Sequence, residues 1–194
     1  MQERAVMKHA ASRELYAYWE ERRGQRPAPE RADIEPGAIR AALSDTFILE
    51  LDAGDGHSFR LAGTRVCALF GRELKGESFI DLWDLGSRGP IADLLAISTD
   101  ESVGTVAGVT AHSTAGEPVE LELLLLPLGM RRPRLARTIG TLAPLKPPAW
   151  LGASPIGALT LGSRRHVGAM AKTRLLPRFM APRRGLVVHQ GGRS

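Results

Sequence analysis

Apolar positions first recur at helical spacing near the start of the chain. In SRELYAYWEERRG, residues 12–24, Leu15, Tyr18, Trp19 and Arg22 follow i, i+3, i+4, i+7 spacing. Ser12 can cap this helix and Gly24 can end it. An amphipathic helix ahead of a domain either packs on that domain or pairs with a second subunit. The spacing does not choose, and Leu15, Tyr18 and Trp19 are the candidate interface of a homodimer. Pro27 and Pro29 then predict an extended linker, and DIEPGAIRAAL predicts a helix with Pro36 in its first turn and Ile39 and Leu43 inward.

The period then changes to two. DTFILELD, residues 45–52, and HSFRLAGT, residues 57–64, predict two strands joined by a turn containing Asp55-Gly56. TRVCALFG predicts a short helix ending at Gly71. RELKGESFIDLW predicts a second short turn-and-helix segment broken at Gly76. RGPIADLLAISTD, residues 88–100, predicts a longer helix with Pro90 in its first turn and Ile91, Leu94, Leu95 and Ser98 on one side. Three strands follow, at 102–113, 118–129 and 132–145. The middle one becomes apolar on both faces at LLLL, as a central strand does. After Pro147-Pro148 the periodicity fades, which predicts a small-residue, flexible, basic tail with at most a short amphipathic helix at RRHVGAMAKTRLLPRF. The predicted organisation is an N-terminal helical extension over 1–44, a core domain over 45–147 and a partly disordered tail over 148–194.

Composition adds little to the fold but something to the partners. The 194 residues are 43% hydrophobic and 24% charged, ordinary for a globular protein. The longest apolar run is far short of the roughly 20 residues a membrane-spanning helix needs. No apolar leader is visible at the N-terminus, and one cysteine excludes an internal disulfide. These features point to the cytoplasm. All 21 acids lie in residues 1–122, so the last 72 residues carry 13 Lys and Arg and no acid. Such a stretch suits an anionic partner, nucleic acid or membrane surface, or else it is a solvated basic surface.

Two strands, short helices punctuated by two glycines, a longer helix and a three-strand meander resemble the PAS domain order. The stretch LAGTRVCALFGRELKGESFIDLW, with Gly71 and Gly76, and TAGEPVELELLLLPL, with Gly116, resemble the corresponding PAS segments. With LYAYWEERRGQRPAPERADIEPGAI and the terminal GLVVHQGGR, the chain is similar to a bacterial family of small stand-alone PAS-like domains. The resemblance implies an α+β fold: a five-stranded antiparallel sheet cupping short helices. It also implies a sensor or adaptor in signal transduction that binds a partner protein or a small molecule, and no enzyme.

Candidate chemistry is sparse. Arg65, where a strand turns into a helix, stands at the mouth of a PAS-type cavity and could hold a carboxylate or phosphate. Outward pairing with Glu73 or another acid is the alternative. Cys67, Phe70, Phe79 and Trp83 complete the candidate pocket, either as ligand-facing groups or as core. Flavin-binding PAS photoreceptors carry their reactive cysteine just after the second glycine. Here that position reads GESF and Cys67 precedes Gly71, so a flavin adduct is not expected. Haem needs an axial imidazole, and the longer helix has none; His57 and His112 fall at a turn and a strand end. No histidine spacing resembles a zinc site, and no cofactor is expected.

Overall fold

The computed structural model describes residues 7–51, 56–129 and 137–168. Helix α1 spans Ala10–Arg23. Three single 3-10 turns follow, at Arg31–Asp33, Pro36–Ile39 and Leu43–Asp45. Strands β1 (Thr46–Leu51) and β2 (His57–Ala62) precede α2 (Thr64–Phe70), a 3-10 turn at Ile80–Leu82 and α3 (Leu85–Glu101). Strands β3 (Gly104–His112), β4 (Pro118–Leu128), β5 (Arg137–Pro144) and β6 (Thr160–Val167) complete the chain order. All pairs are antiparallel in one sheet of order β2-β1-β5-β4-β3-β6.

Strand β4 shows why the sheet sorts its side chains. Leu121, Leu123 and Leu125 point into a core shared with α2 and α3. Leu124, Leu126 and Leu128 point into a second core shared with α1. The pleat alternates sides, so a run of leucines wets neither face. The fold is therefore three layers: α1, sheet, and the α2–α3 helical layer.

The α+β expectation holds, with six strands rather than five. Strand β6 lies inside the stretch 148–194 expected as tail. It pairs with β3 from Gly104↔Val167 to Thr110↔Thr160. Most of its side chains are exposed, so it has no two-residue alternation, and its pairing is long-range. Residues 150–159 are also placed: Ile156 N–H bonds to the Leu69 carbonyl at 2.8 Å and Leu159 N–H to that of Leu82 at 2.8 Å. Strand β6 also takes the start of the basic helix expected over 164–179, where Arg164–Val167 are extended and paired to β3. The rest of that stretch and GLVVHQGGR, within residues 169–194, lie outside the described residues, as do the Asp55 turn and residues 130–136.

Other boundaries shift for local reasons. Helix α1 starts earlier, with His9 Nδ1 accepting from Ala11 N–H at 3.2 Å, and Ser12 is buried inside it. Gly24 ends it with φ +56. Helix α3 starts at Leu85, capped by Asp84, so Pro90 falls in its second turn. The expected linker lies on the sheet: Gly129 N–H bonds to the Pro29 carbonyl at 2.7 Å.

Candidate functional site

The helical layer over the inner sheet face is built by the two glycines. Gly71 ends α2 in the left-handed region at φ +64, where its N–H turns back to Ala68. Gly76, at φ +86, redirects the chain along the outer edge of β2. There Gly76 N–H bonds to Phe59 O at 2.8 Å, Phe59 N–H to Glu77 O at 3.0 Å and Phe79 N–H to His57 O at 2.8 Å. That zipper drops Phe79 onto the sheet. Phe79 stacks on Phe47 at 5.4 Å between centroids and meets Phe59 and Trp83 edge-on at 5.6 and 5.7 Å. A Cβ at residue 140 would lie 2.5 Å from the Phe47 ring, so Gly140 is the seat of that ring. Phe70, Phe79 and Trp83 are all buried in this core, as expected of the core alternative.

Two polar atoms in the layer, Trp83 Nε1 and Ser98 Oγ, are buried without a hydrogen-bond partner. Both residues are essentially fully enclosed. Such atoms are costly and are where an internal small molecule would bond.

Arg65 does not enter this layer. Its Nη2 donates to Asp45 Oδ2 at 2.5 Å and approaches the Ala41 carbonyl at 3.4 Å. Asp45 is 1% exposed, so Arg65 is committed to a buried carboxylate at the turn before β1. That close approach requires Gly63, where a Cβ would lie 2.3 Å from the Ser44 carbonyl. Of the two alternatives, the outward one holds, with Asp45 rather than Glu73 as the acid.

Cys67 is half-buried, its Sγ 3.7 Å from Glu73 Oε1 and 3.9 Å from the Ala62 carbonyl. Burial pushes its thiol pKa up, and the Glu73 carboxylate adds to this against a backbone bond from Leu74. The thiol therefore stays protonated at neutral pH, the opposite of an activated nucleophile. His57 is buried on β2 and His112 exposed at the end of β3. Among the described residues no group of three or more His, Cys, Asp or Glu could hold a metal ion. No helix among them is long and apolar enough to cross a membrane.

Leu15, Tyr18 and Trp19, the candidate dimer interface, are buried within the chain. Trp19 Nε1 donates to the Pro127 carbonyl at 2.7 Å. Tyr18 Oη donates to Asp33 O at 3.1 Å and accepts from Glu35 N–H at 2.8 Å. The helix therefore takes the intramolecular alternative, and these three side chains are not available to a second subunit.

The residues that sequence reading missed are the polar anchors of α1. Glu122, 4% exposed on the outer face of β4, accepts Lys8 N–H at 2.6 Å and His9 N–H at 2.9 Å. Ser12 Oγ and Thr141 Oγ1 lie 3.0 Å apart. The available signal was parity: Glu122 shares its strand face with Leu124 and Leu126, where an acid needs a built partner.

A family model described as PAS domain matches residues 7–143. No curated protein matches the chain. Among solved structures, an RNA-binding light-oxygen-voltage receptor is 17% identical with a TM-score of 0.42, over 64% of this chain and 36% of that one. The chain thus spans about a third of that receptor's length. The PAS domain of a protein from Colwellia psychrerythraea is 14% identical with a TM-score of 0.39, over 57% of this chain and 97% of that one.

Proposed function

Because the chain belongs to the PAS domain family, we propose that it is a non-enzymatic, cytoplasmic sensor or adaptor module that binds a partner protein and reports through its α1 layer. The general role in signalling comes with the family; the partner, the absence of catalysis and the location are our reading.

The observation that carries it is the separation of two cores by one sheet. The inner core holds the four-ring cluster and the helical layer. The outer core holds Leu15, Tyr16, Tyr18 and Trp19 against Leu124, Leu126 and Ile139. Helix α1 is fixed by a few separable polar contacts, to Glu122, Thr141 and Pro127. It can be exchanged or shifted without opening the inner core, which is what a two-state reporter element needs. A small molecule, if one binds, has Trp83 Nε1 and Ser98 Oγ to meet in the inner layer.

Native mass spectrometry of the protein purified from its own host tests this. The expected result is a species heavier than the 21.0 kDa chain, containing a second protein, with or without a small-molecule adduct. A bare chain as the sole species would overturn the reading.

A further inference from the structure

The outer face of the sheet is not wholly covered by α1. Beyond the start of that helix lies a hollow of about 330 Å³, lined by Lys8, Gly108, Glu122, Ser163, Arg164 and Arg165 among others. A second hollow of about 360 Å³ shares Lys8 and Leu145 with it and adds Lys146 and Pro148. We propose that the first hollow is a binding site for a small phosphomonoester, with the body of the ligand extending toward the second.

Charge and geometry support this. Glu122 spends one carboxylate oxygen on Lys8 N–H and the other on His9 N–H. Lys8, Arg164 and Arg165 have no ion pair with an acid among the described residues. Arg165 pairs with Val106 and shares the outer face with it, whereas Arg164 pairs with Ala107 and lies on the face of the helical layer. Lys8 and Arg165 against Glu122 therefore leave one net positive charge at the hollow, the sign that the anionic phosphomonoester requires. The Arg165 guanidinium fork and the Ser163 hydroxyl supply the directed donors that phosphoryl oxygens take. The space exists because residue 108 is glycine. Its Cβ position is 3.7 Å from Ser163 Oγ, so a side chain there would fit the strand while occupying the hollow. The volume is at the lower end for small-molecule sites. A ligand bridging Lys8 and Arg165 would tie the start of α1 to β6. That consequence rests on the reading of α1 above, whereas binding itself does not.

Isothermal titration calorimetry at fixed ionic strength, on the full chain, tests the site with phenyl phosphate and inorganic phosphate as probes. Saturable phenyl phosphate binding is expected, weakened about tenfold or more in Arg165→Gln, blocked in Gly108→Val and unchanged in Arg72→Gln, whose guanidinium pairs with Glu77 elsewhere. Circular dichroism checks that each variant is folded. The absence of saturable binding, equal loss in Arg72→Gln, or wild-type binding in both Arg165→Gln and Gly108→Val would overturn the proposal. So would binding to vesicles containing phosphatidic acid with none to phenyl phosphate. Native mass spectrometry of the host protein remains the separate test of the adaptor role.

Discussion

Trp19 on α1 donates its indole N–H to the Pro127 carbonyl at 2.7 Å while its ring is 1% exposed. Strand β3 pairs with β4 no further than Leu125, so the Pro127 carbonyl lies past the end of that ladder and the indole satisfies it. Trp19→Ala should lower unfolding free energy by about 3–5 kcal/mol, through the lost ring and the cavity. Trp19→Phe, which keeps much of the ring, should cost about 1–2 kcal/mol, part of it the hydrogen bond. Urea unfolding checks both: equal costs would remove the ring packing from the account, and a Trp19→Phe variant as stable as the wild type would remove the hydrogen bond.

The two glycines of the helical layer should respond differently to a methyl group. Both have positive φ, so alanine at either costs about 1–2 kcal/mol in backbone conformation. At Gly76 the Cβ meets open space; at Gly71 it falls 2.9 Å from Pro155 Cγ. Gly71→Ala is therefore expected to be the more destabilising in urea unfolding. The reverse order would mean that residues 150–159 do not cover α2 as described.

Asp84 links α3 to β6. Its Oδ2 accepts from Thr160 Oγ1 at 2.5 Å and its Oδ1 from Ser87 N–H at 2.8 Å. The Thr160 and Ser87 bonds hold its pKa below the ordinary aspartate value of 3.8. A folded-state pKa below the unfolded one adds stability above the unfolded value, and that stability is lost as pH falls through the folded value. The wild type should thus lose more stability from about pH 5 to about pH 3 than Asp84→Asn, which keeps a capping oxygen but cannot titrate. Parallel acid limbs would assign the acid sensitivity elsewhere.

Cys67 should behave as a sluggish thiol. Its raised pKa leaves little thiolate at pH 7, so alkylation should be slower than that of a free thiol and accelerate as pH rises. Cys67→Ser should fold normally. Alkylation at neutral pH faster than that of glutathione would reopen a reactive role.

How legible this was depended on whether the signal was local. Strand β4 declared itself because LLLL can satisfy both faces only in a central strand, and the α2 stretch because Gly71 and Gly76 mark left-handed turns. The apolar face of α1 was legible, but not its destination, since the same Leu15, Tyr18 and Trp19 pattern serves a sheet or a second chain. Strand β6 was not legible: an edge strand with exposed basic side chains carries no alternation, and its partners in β3 are 50 or more residues away. The partners of Arg65 and Glu122 lie 20 and more than 110 residues distant, beyond any spacing rule. Gly140 reads as an interruption of a strand until the Phe47 ring above it is seen.

The central claim is that α1 and the inner helical layer sit on separate cores and that α1 can move alone. Native-state hydrogen exchange under low denaturant tests it most directly. Amides of α1, from Tyr16 to Arg23, should exchange through an opening of lower free energy and weaker denaturant dependence than those of Leu123–Leu125 in β4. If both sets exchange with the same free energy and the same denaturant slope, α1 opens only with the whole protein, and its role as the reporting element is contradicted.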